Sequence, residues 1–256
     1  MVKFLKYALF KLLGRDKYLR LLHTVFFILY DTNLLKRNKN YQFNYFLKKI
    51  IKEGDYVVDI GANLGYFSKI FSRLVGDSGK VICIEPVKPF FDVLNWSLKN
   101  KQNCILYNYA LGTENKKIEL VLPKTEGVFR TGLSHIPSDE SEKQNSYIFE
   151  TEMTTGSSLL KDLPRLDYIK CDIEGYELIV LTELSDVIKK YLPVLQIETW
   201  DNNKNDVITL MTSLNYTPYT LFKNKLHSYQ LNQAAPGDFL FLHQKHLKLY
   251  EYFISN

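Results

Sequence analysis

The stretch YVVDIGANLGYFSKI, residues 56–70, contains the pattern that decides the fold. An apolar run ends in Asp59, a turn containing glycines follows, and apolar residues then recur at helical spacing. A short buried strand that passes through a glycine turn into a helix is typical of a ligand site in an α/β protein. The sequence therefore predicts a sheet whose first strand ends at such a site.

Strand-like and helix-like segments alternate along most of the chain that follows. We predict strands at 55–61, 79–86, 104–112, 166–175 and 193–200, helices at 65–75, 89–101, 176–191 and 205–216, and a closing hairpin of 217–224 and 237–244. Such alternation indicates a doubly wound parallel sheet. Only residues 113–156 depart from this alternation, because two predicted strands, 116–123 and 147–155, flank a long polar connection. We predict that these two strands form an antiparallel excursion from the main sheet.

Composition and charge bound the class of protein. The chain has 256 residues, of which 46% are hydrophobic and 24% charged, and this suits one α/β domain (51–256) after a helical arm (1–50). Residues 1–20 contain six basic residues and one acidic residue, which accounts for the whole net charge of +5. The remainder is neutral overall, so we expect no nucleic-acid partner.

The basic arm has two interpretations. Its apolar runs are shorter than the roughly 20 residues that a membrane-spanning helix needs. It either lies on an anionic membrane surface as a basic amphipathic helix, or packs on protein as a helical lid or as a homo-oligomer contact.

The three cysteines are Cys83, Cys104 and Cys171, each in or beside an apolar run. An odd number without a CxxC pair predicts reduced thiols rather than a disulfide framework. We therefore expect a cytoplasmic protein, with peripheral contact at the inner membrane face as the alternative.

Successive predicted strands end in hydrogen-bonding or acidic residues. These are Asp59, Gly61 and Asn63, then Glu85, Asn108, Asp172 and Glu174, and finally Glu198. Because the carboxyl ends of parallel strands meet at one edge of a sheet, we expect these residues to lie together. Lys170 is an unusual charge within an apolar strand, where it either pairs with one of the acids or lies at the rim of the sheet.

The glycine spacing separates two kinds of ligand. A dinucleotide site needs G-x-G-x-x-G, whereas here Asn63 stands where the close approach to a pyrophosphate is needed. Asp59 would repel a diphosphate but would pair with an ammonium group. Glu85 comes 20 residues after Gly65, at the position where an acidic residue binds ribose hydroxyls. An amine and a ribose without phosphate indicate S-adenosylmethionine.

Five segments resemble successive motifs of FkbM-type methyltransferases: VVDIGANLGYFS, IEPVKPFFDVLNWSLKN, NYALG, DYIKCDIEGYELIVL and LQIETW. The resemblance covers roughly residues 40–245. It implies the seven-stranded, Rossmann-like methyltransferase sheet, here with an N-terminal helical extension, and S-adenosylmethionine as cofactor. It also implies O-methylation of a small-molecule or glycan acceptor, which is a sugar, a glycan or glycolipid precursor, or another natural product.

The resemblance also implies roles for individual residues. It places Asp59, Gly61 and Asn63 near the methionine part of the donor, Glu85 on the ribose, Asn108 and Ala110 beside the adenine, and Asp172 and Glu174 as an acidic pair. We also expect Gly65 and Pro86 in the donor site, as neighbours of these residues. Residues 113–156 are then expected to lie on the acceptor side.

Methyl transfer to a hydroxyl needs alignment of the two reactants and gains from a general base. The candidates for that base are Asp172, Glu174 and His135. The alternatives are that Asp172 only holds the amino group of the donor, that Glu174 caps the following helix and that His135 is an incidental loop residue. The two acids are also suitable Mg²⁺ ligands, but no third ligand is evident from spacing, so we predict no metal.

Two other functions remain open at this point. One is a nicotinamide-dependent oxidoreductase, which Asp59 and Asn63 oppose. The other is a binding protein that retains the fold without catalysis.

Overall fold

The computed structural model describes residues 2–124, 131–200, 203–231, 233 and 237–255. Its strands are β1 (Tyr56–Ile60), β2 (Lys80–Ile84), β3 (Cys104–Tyr107), β4 (Ala110–Gly112), β5 (Lys116–Pro123), β6 (Ser146–Thr155), β7 (Tyr168–Cys171), β8 (Val194–Glu198), β9 (Tyr216–Phe222), β10 (Lys225–Ser228) and β11 (Asp238–His243). Its α-helices are α1 (Val2–Asp31), α2 (Gln42–Phe46), α3 (Tyr66–Val75), α4 (Lys88–Leu98), α5 (Glu140–Gln144), α6 (Gly156–Leu160), α7 (Glu177–Glu183), α8 (Ser185–Tyr191), α9 (Lys204–Ser213) and α10 (Leu247–Tyr250). Short 3-10 helices occur at Lys39–Tyr41, Leu47–Lys49, Gln244–His246 and Glu251–Phe253.

The main sheet has the strand order β10-β9-β11-β8-β7-β1-β2-β3. Strands β3, β2, β1, β7 and β8 are parallel, whereas β11 is antiparallel to both β8 and β9. The doubly wound α/β fold is thereby confirmed. The sheet has eight strands rather than seven, because the short edge strand β10 adds to β9.

Three predicted elements differ in detail from the structure. The strand predicted at 104–112 is two strands in different sheets, because the Asn108 side chain binds the carbonyl groups that follow β2 and the chain leaves the sheet there. The helix predicted at 176–191 is divided into α7 and α8 at Leu184. Strands β9 and β11 pair antiparallel as predicted, but β10 lies between them in the sequence.

Residues 113–156 form most of a second, three-stranded sheet of order β4-β6-β5. Strands β5 and β6 pair antiparallel from Lys116 opposite Met153 to Pro123 opposite Ser146, which confirms the predicted antiparallel excursion. The polar connection between them contains α5 and a β-bridge from His135 to Val121. The part of it at 125–130 lies outside the described residues.

Helix α1, which is kinked at Gly14, packs against helices α3 and α4. Phe26 and Phe27 belong to the core that covers one face of the main sheet, while Tyr18 and Leu19 pack in a cluster that includes residues of α4 and β5. These four side chains are at least 92% buried, and each such apolar side chain contributes about 1.5–3 kcal/mol of transfer free energy. This part of the predicted arm therefore docks on the α/β domain, as the lid interpretation expects.

Two further sequence expectations concern cysteines and membranes. Cys83 and Cys171 are buried in β2 and β7, Cys104 is partly buried in β3, and all three are free thiols. Among the residues that the structure describes, no helix combines the length and apolar character needed to cross a bilayer.

Candidate active site

The site lies where the strand order of the main sheet reverses. Strand β1 has β2 on one side and β7 on the other, and all three run parallel, so their carboxyl ends meet there. A cavity that is partly open to solvent occupies this edge. It is lined by Ile60, Gly61, Asn63, Ile84, Glu85, Pro86, Tyr109, Ala110, Leu111, Leu120, Gly132, Ser134, His135, Ile136, Asp172, Ile173, Glu174 and Tyr176.

The turn after β1 is tightly enclosed. Gly61 has φ +77°, and a Cβ atom at this position would overlap the carbonyl oxygen of Asp172. The backbone N–H groups of Gly61 and Ala62 both donate to the carbonyl oxygen of Ile84 at 3.0 Å. The turn is therefore joined to the ends of β2 and β7, and only glycine fits at its first position.

Glu85 is held in one orientation by the backbone. Its Oε2 accepts a hydrogen bond from the Asn63 N–H and its Oε1 accepts one from the Val87 N–H, both at 2.8 Å. Burial raises the pKa of Glu85 to about 7, and the two N–H donors oppose that rise. A carboxylate has about four acceptor positions, so both oxygens can still accept from a ribose diol.

Asn108 supports the neighbouring wall without lining the cavity. Its side-chain amide donates to the carbonyl oxygens of Glu85 at 2.8 Å and Pro86 at 3.0 Å. Pro86 and Ala110 do line the cavity. The amide of Asn108 thus fixes the turn that carries Glu85 and Pro86.

Asp59 and Gly65 lie beneath the turn and are not among the lining residues. Asp59 is fully buried, and its Oδ2 accepts a hydrogen bond from Ser68 Oγ at 2.5 Å. Burial raises the pKa of Asp59. Gly65 has φ +84°, and a Cβ there would come within 2.9 Å of Leu94. Both residues connect the turn to α3 and α4, while their predicted contacts with the donor stay predictions.

Asp172 enters the cavity from the end of β7 and is paired with a buried cation. Lys170 Nζ lies 2.9 Å from Asp172 Oδ2, and Lys170 is only 3% exposed. Burial alone would lower the pKa of Lys170, but the carboxylates of Asp172 and Asp59 outweigh it and raise the pKa above its ordinary value. Lys170 therefore remains charged and fixes Asp172.

Glu174 lines the cavity in a left-handed conformation, with φ 47°. Burial, followed by repulsion from Asp172, raises its pKa to about 7. The N–H groups beside it are bound by another acid, because Glu177 Oε1 accepts from the N–H groups of Ile173 and Gly175 at 3.3 and 3.0 Å. The observed hydrogen bonds thus assign the capping of this turn to Glu177 and leave Glu174 directed at the cavity.

His135 faces the cavity from the connection between β5 and β6. Its backbone N–H and C=O both bond to Val121, at 3.1 and 2.9 Å. Its Nδ1 lies 3.0 Å from the Leu133 carbonyl oxygen and its Nε2 lies 3.4 Å from Glu142 Oε2. With Nδ1 donating to Leu133, Nε2 is the nitrogen left to accept a proton.

Glu198 and Asp238 extend the acidic edge beyond the lining residues. They stand opposite each other on β8 and β11. Burial and the nearby Asp172 raise the pKa of Glu198 to about 8, and burial raises that of Asp238 to about 6. Within the described ranges, no group of three or more His, Cys, Asp or Glu residues has a geometry suited to a metal ion.

Several residues of the cavity were not predicted from the sequence. Tyr109, Leu111, Ser134, Ile136 and Tyr176 are ordinary in their local context and enter the site only through the placement of the second sheet and the loops. Asp238 likewise has no local signal, since β11 follows β8 by about forty residues and lies beside it only in the folded sheet.

The fold and a site at the carboxyl ends of β1 and β2 are those of an S-adenosylmethionine-dependent methyltransferase of Rossmann-like fold. The chain matches the Methyltransferase FkbM domain over residues 59–218, more than half of its length, and it belongs to this family. Its methyl donor is S-adenosylmethionine, as the resemblance implied. Gly61, Asn63 and Glu85 form a fitting cradle, because a glycine-only turn and an oriented carboxylate meet in one cavity.

Solved structures with a similar fold include other methyltransferases. Methyltransferase FkbM from Methylobacillus flagellatus is 16% identical, with a TM-score of 0.49 over 73% of this chain and 43% of that one. An S-adenosylmethionine-dependent O-methyltransferase from Thermotoga maritima is 14% identical, with a TM-score of 0.45 over 80% of this chain and 64% of that one.

Fibrillarin from Aeropyrum pernix, with natively bound S-adenosylmethionine, is 10% identical, with a TM-score of 0.42 over 75% of this chain and 67% of that one. Of the first of these proteins, the one from Methylobacillus flagellatus, the present chain spans less than half. No curated protein sequence matches it significantly. The family assignment rests on the FkbM domain match.

Proposed function

We propose that this FkbM methyltransferase methylates a hydroxyl group of a sugar, a glycan or a glycolipid precursor. The observation that carries this proposal is Glu174, a carboxylate in the cavity beside Asp172 whose pKa is raised to about 7. A base with that pKa is half deprotonated near neutral pH, where general-base catalysis is most effective. An alcohol is a weak nucleophile and gains from such a base, whereas a neutral amine is nucleophilic without one.

The chain's own residues divide the work of the reaction. Glu85 and the turn at Gly61 hold the donor, which supplies a methyl group on a sulfonium. Asp172, fixed by Lys170, attracts the positively charged part of the donor. Glu174 accepts the proton of the acceptor hydroxyl. His135 orients the acceptor from the opposite wall, and its Nε2 is the second candidate to accept that proton.

The exposed surface of α1 supports a glycolipid acceptor. Lys11 and Lys17 are exposed, and the apolar side chain of Leu12 between them is 81% exposed. We infer that this basic segment holds the enzyme at an anionic membrane surface. Vesicle flotation with phosphatidylglycerol, but not with phosphatidylcholine alone, is the expected result, and Lys11→Glu/Lys17→Glu abolishes it. Equal flotation of that variant and the wild type contradicts the membrane role.

The acceptor class is tested by transfer of a labelled methyl group. The full chain is incubated with methyl-labelled S-adenosylmethionine and a panel of glycosides, polysaccharides and glycolipid extracts. We expect a labelled product that resists mild alkali, because methyl ethers survive it and methyl esters do not. Label found only on carboxylates or amines contradicts the proposal. Calorimetric binding of S-adenosylhomocysteine shows in parallel that the donor site is intact.

A further inference from the structure

Trp200 is an unusual residue at the rim of the site. It is one of two tryptophans in the chain and lies two residues after β8, at the acidic edge of the main sheet. Its side chain is 57% exposed, although an exposed indole loses the transfer free energy that burial would provide. A large aromatic ring exposed beside the acidic edge of the sheet is available as a contact surface for a ligand.

The indole ring is fixed in place. Its Nε1 donates a hydrogen bond to Glu198 Oε1 at 3.2 Å. The backbone of Gly237 lies against it so closely that a Cβ atom at position 237 would come within 2.6 Å of the ring. Gly237 precedes Asp238, which stands opposite Glu198 on the neighbouring strand. The ring is therefore a preorganised surface whose position is coupled to two carboxyl groups.

This surface is connected to the candidate base. The carbonyl oxygen of Trp200 accepts a hydrogen bond from the N–H of Asn203 at 3.1 Å. The side-chain amide of Asn203 donates to the carbonyl oxygen of Gly175 at 2.6 Å, and Gly175 directly follows Glu174. The turn that carries Trp200 is thus joined to the loop that carries Glu174.

We propose that Trp200, Glu198 and Asp238 form the subsite that binds a neutral pyranose ring of the acceptor. A pyranose has one apolar face of C–H groups, which packs on an indole ring, and an edge of hydroxyl donors, which bind carboxylates. Asp238, whose pKa of about 6 leaves it ionised at neutral pH, disfavours phosphorylated or carboxylated sugars because of charge repulsion. This inference rests on the proposed function, since it places the sugar whose hydroxyl is methylated.

The test uses the fluorescence of Trp200 in the full chain. Trp96→Phe leaves Trp200 as the only tryptophan, and this variant is titrated with methyl pyranosides of glucose, galactose, mannose and rhamnose in the presence of S-adenosylhomocysteine. We expect a saturable change in emission with at least one pyranoside and none with sorbitol, which has hydroxyls but no ring face. Glucose 6-phosphate should produce a weaker response than methyl glucoside.

Kinetics with any sugar acceptor that becomes methylated separate the two proposals. Trp200→Ala should raise KM about tenfold, while Trp200→Tyr retains most of the affinity and both variants bind S-adenosylhomocysteine like the wild type. A sugar methylated with unchanged KM by Trp200→Ala overturns the subsite but leaves the proposed function. A saturable fluorescence response without methyl transfer to any hydroxyl overturns the function but leaves a sugar-binding site. Absence of both overturns both.

Discussion

His23 Nδ1 lies 2.8 Å from the carbonyl oxygen of Leu64, so helix α1 contacts the glycine turn of the donor site directly. His23 is 1% exposed and is surrounded by the rings of Phe27, Tyr66 and Trp96. Burial lowers its pKa to about 4, so at neutral pH the ring is uncharged and donates from Nδ1. The N-terminal helix is thereby part of the support of the cofactor site.

Replacing His23 should weaken cofactor binding. His23→Leu removes the hydrogen bond to Leu64, and loss of about 1 kcal/mol raises the Kd of S-adenosylhomocysteine about fivefold. His23→Asn is the matched control, because its amide N–H lies near the position of Nδ1 and keeps most of the affinity. Calorimetry measures both, and equal affinity of His23→Leu and the wild type contradicts the coupling.

The same histidine predicts a dependence of stability on pH. Its folded-state pKa of about 4 lies below the ordinary value of 6.5, so its contribution to the free energy of unfolding is present above pH 6.5. That contribution is lost as pH falls from 6.5 towards 4. The free energy of unfolding in urea should therefore be measured for the wild type and for His23→Leu across this range. The wild-type value minus the variant value should decrease as pH falls from 6.5 towards 4, and a constant difference contradicts the assignment.

Gly61→Ala should abolish donor binding. Its Cβ would overlap the Asp172 carbonyl oxygen, so the turn after β1 and the loop after β7 must separate. Gly54→Ala is the control, since Gly54 also has a positive φ (+85°) but would meet nothing closer than Ser78 Oγ at 3.6 Å. Both variants lose about 1–2 kcal/mol from the left-handed backbone, but only Gly61→Ala should lose binding of S-adenosylhomocysteine.

Glu85→Ala should also weaken binding at the site of the methyl donor. The substitution removes a charged acceptor for ribose hydroxyls and leaves the N–H groups of Asn63 and Val87 without their partner. Hydrogen bonds to charged groups contribute about 1.5–3 kcal/mol, so the Kd of S-adenosylhomocysteine should rise about 10- to 100-fold. Glu85→Gln, which retains one acceptor oxygen, should bind with intermediate affinity. Wild-type binding by Glu85→Ala would place the ribose elsewhere.

Lys170→Met should destabilise the protein more than a double variant that also removes the partner acid. The single variant leaves Asp172 and Asp59 without their cation, at a cost of about 3–5 kcal/mol in the free energy of unfolding. Lys170→Met/Asp172→Asn removes one of the unpaired charges and should recover part of that loss. Denaturant unfolding compares the two, and equal stabilities would show that the Lys170–Asp172 pair is not coupled.

Glu174→Gln should remove a pH-dependent step from catalysis. With a pKa of about 7, Glu174 gives the wild type a kcat/KM that rises with pH and levels above about pH 7. The variant should lose roughly 10²–10⁴-fold in kcat/KM together with that limb, while binding S-adenosylhomocysteine normally. If kcat/KM of Glu174→Gln still rises with pH up to about pH 7, Glu174 is not the base and His135 is the remaining candidate.

The fold was largely predictable because its signals are local. Apolar runs, glycine turns and helical spacing between residues 55 and 200 identified the parallel strands, and the glycine turn and Glu85 indicated the ligand. The predicted elements that differ from the structure do so because of contacts with residues that are distant in the sequence. Asn108 ends β3 by binding carbonyl groups after β2, and no pattern within 104–112 reveals this contact.

The donor side of the site was more predictable than the other wall. Gly61 and Glu85 directly follow strands and Asn63 lies in the turn after β1, so strand prediction alone placed them together. His23 and Trp200 are supported by contacts with residues about forty positions away, and their spacing in the sequence carries no sign of them. Sequence analysis found most of the acids of the site and Lys170 as a partner for them, but not Asp238, His23 or Trp200.

The two walls of the cavity belong to different sheets, so one wall can change without altering the other. Gly61, Glu85 and Asp172 follow strands of the main sheet, whereas Leu111, Leu120 and His135 come from the second sheet and its connection. Substitutions accumulating in residues 113–156 leave the pairing of β1, β2 and β7 untouched. Under the proposed function, a chimera that exchanges residues 113–156 with those of another family member should change the acceptor and keep the methyl donor.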